Sequence, residues 1–497
     1  MVVKYRGIYI DSEQEVVVKV IKEVLNLFRI EAFPADPDVA RLSVYNEHSV
    51  MDNIVSLQTV LIVRQLDGTE QRYAWQGRSQ AYEHERAALH RLVKLNLYHI
   101  FRKYFNMLAA PWGILHGVRP TKIVHRFIKL GFDRAGIISR LTDDYEVSFE
   151  KAEYITELAF RQLPFIKDAD DKLIAVYVGI PYCLSRCLYC SFPSYVLPGE
   201  KELAVFMSAF RKDLEAAVSA VKKYGFKVQS IYVGGGTPTS LPDKYFAEML
   251  QLVYDSFYSD ETIEFTVEAG RPDSMSADKI TTMIRCRVSR VSVNPQTMQQ
   301  KTLKRIGRNH TPEAIIKMYN DLRLAGIPQI NMDLIIGLPG ENAADVADTM
   351  RQLSVLEPDD ITLHSLALKR GSVLKMQLGE YELPSDDEAV KMFSVAMDSI
   401  KKWGLRPYYL YRQGYQIGQL ENVGCCREGA ESIYNIQIME EQQTIIGIGG
   451  SATTKVVFPS DKHLKAVFTP KELSIYLRDT DIYIKKRADL LAQAYNG

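Results

Sequence analysis

The sequence predicts an α/β protein built as a partial (β/α)6 barrel, with an α+β module in front of it and a C-terminal cap behind. Three observations predict this. From residue 173 onward, short β-branched runs alternate six times with longer amphipathic runs, as in a parallel sheet covered by helices. Ahead of that point, short alternating runs give way to long stretches of helical period. The length, 497 residues at a soft prior of ~150 per domain, leaves room for two or three such units.

Residues 1–165 form the first module. A strand is expected over 4–10 and a helix over 12–28, with Ser12 as N-cap. Strands follow at 41–46 and 60–65, and the Asp67-Gly68 turn leads into a third at 70–76. Helices are expected over 79–108, 120–130 and 148–163, with a boundary near 162–172. The barrel spans 166–375. Its strands are expected at 173–180, 229–234, 262–268, 290–294, 329–336 and 360–365. Helices at 202–223, 243–257, 276–284, 299–306, 312–325 and 341–356 separate and follow them. In such folds the chemistry sits on loops at the carboxyl ends of the strands. Residues 376–497 read as helical, then irregular, then β at 444–448 and 454–458, then helical over 470–487, forming an extension that covers the substrate.

Composition narrows the function. Sixty-one basic against 61 acidic residues argue against a broad basic surface, and so against nucleic acid as partner. The first residues lack the charged-then-apolar layout of a secretory signal, and no run approaches the ~18 apolar residues of a membrane span. A cytoplasmic, reducing location follows as the expectation. Six cysteines in so long a chain are no disulfide scaffold, and thiols there serve more often as metal ligands or catalysts.

Three of the six cluster. Cys183-Leu184-Ser185-Arg186-Cys187-Leu188-Tyr189-Cys190 is a C-x3-C-x2-C on the loop after the first barrel strand. Three thiolates so close can converge on one ion or cluster. Structural zinc wants four ligands and no fourth Cys or His lies nearby. A [4Fe–4S] cluster held by three cysteines keeps one iron open. Zinc with a distant fourth ligand and three independent buried thiols are the alternatives. Cys286 reads as a small buried residue, and Cys425-Cys426 as part of a Gly-flanked loop without a role.

The other strand ends carry polar groups. Gly234-Gly235-Gly236-Thr237-Pro238-Thr239 lets backbone approach a ligand closely. Alternation puts Glu264 and Glu268 on one face of the third strand. Arg290-Val291-Ser292-Val293-Asn294-Pro295-Gln296 offers Gln296, which can donate and accept. Asp333 lies inside the apolar run Asn331-Met332-Asp333-Leu334-Ile335-Ile336-Gly337-Leu338-Pro339-Gly340, where burial demands a partner.

Together these motifs, from Tyr177 to Ala367, resemble the radical S-adenosylmethionine (SAM) superfamily, and within it the oxygen-independent coproporphyrinogen III dehydrogenase group and its relative, the radical SAM haem chaperone. The resemblance implies a [4Fe–4S] cluster on Cys183, Cys187 and Cys190, whose open iron chelates SAM. It implies SAM contacts from Gly235, Gly236, Thr237, Glu268, Gln296 and Asp333. It adds Arg308 of Lys304-Arg305-Ile306-Gly307-Arg308-Asn309-His310 as a bidentate partner of the SAM carboxylate, and backbone closure at Ala367. Tyr177 and Tyr189 match positions on the adenosine side of the cluster. The stretch from Pro111 to Lys122 resembles that of the long version of the family. The implied reaction is anaerobic oxidative decarboxylation of coproporphyrinogen III to protoporphyrinogen IX by a 5′-deoxyadenosyl radical, with an electron donor such as flavodoxin or ferredoxin. Haem chaperoning is the alternative. Arg271, Lys369, Arg370 and Arg412 are, by position, candidate cations for tetrapyrrole carboxylates. Two departures set the chain between the branches: Phe192 stands where the dehydrogenases carry a further cysteine, and the chaperone's H-N-x-x-Y-W is replaced by Tyr434-Asn435-Ile436-Gln437.

Overall fold

A computed structural model describes residues 8–11, 15–27, 40–65, 67–80, 85–106, 110–115, 117–166, 170–369, 371–414 and 416–496. The chain forms two compact units, Met1–Phe160 and Arg161–Gly497.

The first unit carries a four-stranded sheet in the order β1 (Ile8–Asp11), β2 (Ala40–Met51), β3 (Ile54–Arg64), β4 (Glu70–Gln80). β1 and β2 are parallel, and β2, β3 and β4 are antiparallel. Helices Glu15–Leu27 and Glu85–Phe105 cover one face, where Ile21, Val24, Leu61, Val63, Leu97 and Phe101 form a core. The second of these helices starts later than its periodicity suggests. Ser79 and Gln80 belong to β4, because the hairpin pairs residue by residue as far as Gln80 opposite Ile54. Ser12 and Leu108 lie outside the described residues. The sequence reading missed helix Arg134–Tyr145, which Asp133 caps by accepting from the Gly136 amide at 2.8 Å.

The second unit is built on an eleven-stranded sheet. Its six central strands are β5 (Leu173–Ile180), β8 (Lys227–Gly235), β9 (Glu264–Gly270), β10 (Arg290–Gln296), β11 (Gln329–Ile336) and β12 (Asp360–Ser365), parallel and neighbouring in chain order. Two short strands, β6 (Tyr182–Cys183) and β7 (Tyr195–Val196), pair with each other around the cysteine loop. The helices between the strands begin on sequence-encoded caps. Asn342 and Asp345 form a reciprocal capping box, and Thr311 accepts from the Ala314 amide ahead of Pro312.

The C-terminal region extends the sheet at both ends rather than only capping it. β13 (Arg406–Tyr411) and β14 (Asn422–Cys426) add antiparallel strands beside β12. β15 (Thr444–Gly449) lies parallel to β5, followed by antiparallel β16 (Thr453–Val457) and β17 (Leu464–Phe468). Cys425 and Cys426 therefore sit in a buried strand, not a loop, and both are free thiols. Cys286 is buried at the end of helix Ala277–Arg285.

Alternation sorts the strands' side chains. Val291, Val293, Met332, Leu334, Ile361 and Leu363 are buried apolar positions. Their neighbours Ser292, Asn294, Asn331, Asp333, Thr362 and His364 face a common cavity.

Candidate SAM and cluster site

The cavity has a volume of about 570 Å³ and opens at the carboxyl ends of the parallel strands. All of the sequence-named site residues line it except Ala367. Ala367 forms a backbone bridge to Gln416 at the end of β12 instead.

The cysteine loop is held by backbone bonds. Leu188 N donates to Ile306 O at 3.0 Å, Leu374 N to Leu188 O at 2.9 Å, and Cys190 N to Cys187 O at 3.1 Å. Burial pushes the Cys183 and Cys190 thiols up, with Thr237, 3.5 Å from Cys183 Sγ, acting in the opposite direction on the first. Ligation therefore releases protons. Each of these two thiols also feels Cys187 as a neighbouring charge. Among the described residues no three such groups meet closely enough to hold a single ion. A cluster is a larger body, and its ligands stand farther apart.

The glycine turn sits directly against this loop. Thr237 N donates to Tyr182 O at 2.7 Å and Gly236 N to Ile180 O at 2.8 Å. A Cβ on Gly236 would stand 2.4 Å from Tyr182 O and 3.0 Å from Cys183 Sγ, so only glycine fits there. Gly235, at φ +115°, is strained for any other residue.

Arg308 is buried behind the cysteines. Its guanidinium donates to the carbonyl of Asn294 and to Tyr189 Oη at 3.2 Å. Burial opposes its charge, but Tyr189 and Cys187 beside it keep it protonated. Its buried Nε has no hydrogen-bond partner. A fixed cation with an unused donor beside three thiols suits an anionic group bound at the cluster, so the donor set fits a [4Fe–4S] cluster with SAM. His310, two residues on, is held neutral by burial, its pKa pushed down to about 4.

On the opposite wall, burial raises the Glu268 carboxyl to about 7; a hydrogen bond from Tyr232 Oη at 2.7 Å works against this, and the Asp333 charge adds to it. Asp333 accepts from Asn331 Nδ2 at 2.7 Å, and Asn331 also donates to Ser292 Oγ at 2.8 Å. Gln296 is buried at the end of β10 with φ +67°. Sequence reasoning missed Tyr232, Asn331, His364, Tyr411 and Tyr434, which all line the cavity. A period of two counted back from Asp333 and from Gly234 finds Asn331 and Tyr232. The same alternation along the strand expected at 360–365 marks His364, beside Thr362, whereas Tyr411 and Tyr434 needed the tertiary structure, because β13 and helix Ile433–Glu440 had no motif to place them. Tyr177, Tyr232 and Tyr434 form a stack, with ring centroids 4.4 Å apart for the last two.

The candidate substrate cations fare unevenly. Arg271 lines the cavity but is committed to Asp273 at 2.7 Å and to Ser185 Oγ at 2.7 Å. Lys369 and Arg412 are not among its lining residues, and Arg370 lies outside the described residues.

Comparison with known proteins agrees with this geometry. The radical SAM superfamily model matches residues 177–353. The chain is 37% identical over 407 residues to the oxygen-independent coproporphyrinogen-III oxidase-like protein HemZ of Bacillus subtilis (strain 168), covering 79% of this chain and 80% of that one. It is 28% identical over 310 residues to the heme chaperone HemW of Lactococcus lactis subsp. lactis (strain IL1403), covering 60% of this chain and 76% of the relative. The solved structure of coproporphyrinogen III oxidase HemN from Escherichia coli matches with a TM-score of 0.52 at 20% identity, over 65% of this chain and 72% of that one, a likeness of fold. No helix among the described residues is long and apolar enough to cross a membrane. On the HemZ match over about four-fifths of both chains, the chain belongs to the radical SAM superfamily, in the oxygen-independent coproporphyrinogen-III oxidase-like family, with a [4Fe–4S] cluster and SAM as its cofactors.

Proposed function

We propose that the protein carries out anaerobic oxidative decarboxylation of coproporphyrinogen III to protoporphyrinogen IX. The observation that carries this reading is the likeness to the oxidase-like relative, which runs through four-fifths of both chains, against a lower identity and a smaller share of this chain for the chaperone. Cys183, Cys187 and Cys190 would hold the cluster. Arg308 would meet the SAM carboxylate, and Glu268, Gln296 and Asp333 its other polar groups. Held there, cluster and SAM would supply 5′-deoxyadenosyl radical chemistry, which would take one β-hydrogen from each of two substrate propionates, and loss of CO2 with transfer of one electron to an external one-electron acceptor would leave each as a vinyl group. The chain's own contribution is to position and to exclude water. The buried Arg308 is fixed by two carbonyl and phenol contacts, the Gly236 turn holds backbone against the cluster loop, and β13 with helix Ile433–Glu440 walls the far side of the cavity. The partners are a tetrapyrrole and a reductant of the flavodoxin or ferredoxin class.

One residue favours a second reading. Phe192 lines the cavity at the position of the dehydrogenases' extra cysteine, as in the haem chaperones. Reconstituted protein incubated anaerobically with SAM, reductant and coproporphyrinogen III decides between them. Formation of protoporphyrinogen with release of 5′-deoxyadenosine is expected. Tight haem binding without turnover establishes the chaperone instead. The Cys183→Ala variant is expected to lose the brown Fe–S absorbance.

A further inference from the structure

One cavity group has no part in the reading above. His364, on β12, stands between Asp333 of β11 and Tyr411 of β13. Its Nδ1 lies 3.3 Å from Tyr411 Oη, and its Nε2 lies 3.7 Å from Asp333 Oδ2. Burial, with the Asp333 charge adding to it, keeps the Tyr411 phenol protonated, and the Gln413 side chain bonds its oxygen. The phenol proton is therefore available to donate to Nδ1. A neutral imidazole that accepts at Nδ1 carries its own proton on Nε2, directed at Asp333. The other carboxylate oxygen of Asp333 is already held by Asn331 Nδ2 at 2.7 Å. Asn331 is in turn fixed by Ser292 of β10 and bonded by Thr362 of β12.

We infer that His364 is a positioning residue, oriented by Tyr411, which grips Asp333 Oδ2 through its Nε2–H and so presents the carboxylate to bound SAM. At 3.7 Å the two atoms stand beyond hydrogen-bond reach in the ligand-free chain, and the inference requires the contact to shorten when SAM is bound. The inference rests on SAM as cofactor and on Asp333 as a SAM contact, not on the tetrapyrrole substrate.

The test is equilibrium dialysis of labelled SAM against the reconstituted protein, with no tetrapyrrole present. It therefore reads independently of whether the chain is dehydrogenase or chaperone. Gln extends its amide N–H to the place of Nε2, whereas Asn places it near Nδ1. His364→Gln should keep SAM affinity close to wild type, and His364→Asn and His364→Ala should weaken it by about tenfold, the effect of one hydrogen bond to a charged group. Tyr411→Phe should weaken it by a smaller factor, because the ring remains but the tautomer is released. Asp333→Asn combined with His364→Asn should bind no worse than Asp333→Asn alone. Equal loss in the Gln and Asn variants, or wild-type affinity in His364→Ala, overturns the proposal. If SAM affinity is unchanged in Asp333→Asn, the Asp333 contact itself is wrong. Fe–S absorbance reports whether each variant has folded around its cluster. Should His364→Ala fail to assemble it, the Gln–Asn contrast and Tyr411→Phe carry the decision.

Discussion

Glu268 shows how much one half-buried side chain in the cavity wall can make the stability of this fold depend on pH. Its folded-state pKa of about 7 lies above its ordinary 4.5, chiefly because the charged form is stripped of water. The penalty is absent below about pH 4.5, grows as the pH rises between the two values, and is complete above about pH 7. Its upper limit is ~3 kcal/mol, reduced to the extent that water enters the cavity. Glu268→Gln should therefore raise the thermal midpoint of the apoprotein at pH 8 and leave it nearly unchanged at pH 5. Equal effects at both pH values would mean that the carboxyl ionises freely in the fold. The same substitution should weaken SAM binding, so that stability and function pull in opposite directions at this position.

At the scale of elements, two contacts hold the site together. The glycine turn after β8 and the cysteine loop after β5 touch through backbone, with no room for a methyl group at Gly236. Gly236→Ala must displace the Tyr182 carbonyl or the Cys183 thiol. It is expected to abolish cluster assembly, measured as iron and sulfide content per chain, while far-ultraviolet circular dichroism stays native. Deeper in the barrel, Asp360 of β12 accepts from Arg290 of β10 at 2.9 Å and from Tyr408 of β13 at 2.7 Å, all of it buried. Removing one partner of such a pair leaves an uncompensated charge. Asp360→Ala should cost ~3–5 kcal/mol in urea unfolding. A loss below ~1 kcal/mol would show that Arg290 finds water or another acceptor.

At the scale of the whole molecule, the barrel unit depends on its last residues. β15 is a seventh parallel strand, paired with β5 from Thr444 opposite Ile174 to Gly449 opposite Gly179. It is clamped by helix Leu473–Tyr495, whose Arg487 bridges Asp213 at 2.7 Å and donates to Gly447 O at 2.8 Å, while Asp213 accepts from the Gly449 amide. Ending the chain at Glu441 would bare the edge of β5 next to the cluster loop. Such an edge recruits other chains. The truncated protein should partition to the insoluble fraction and carry no cluster. Recovery of soluble, brown protein would establish that the six central strands suffice.

The six strand–helix units and the C-x3-C-x2-C motif were legible because each rests on local chemistry. β-Branched runs, caps such as Asn342 with Asp345, and thiols three and two residues apart are set by neighbours in the chain. The same holds for Asp333, whose place in an apolar strand announced a buried partner. What the sequence by itself determined, then, was the succession of strands in the barrel and the motif groups at their carboxyl ends, though not every cavity-facing residue beside them. Only the tertiary structure decided what faces them. Cys425 and Cys426 read as loop residues because Asn422–Cys426 is too short and too flat in pattern to announce a strand, and it becomes one by pairing with β12. Tyr411 and Tyr434 enter the cavity because β13, paired to β14 beyond β12, and helix Ile433–Glu440 carry them there, where Tyr411 meets His364 and Tyr434 stacks on Tyr177 and Tyr232. Their hydrogen bonds and stacking join residues tens to hundreds of positions apart, an interaction that no local propensity encodes.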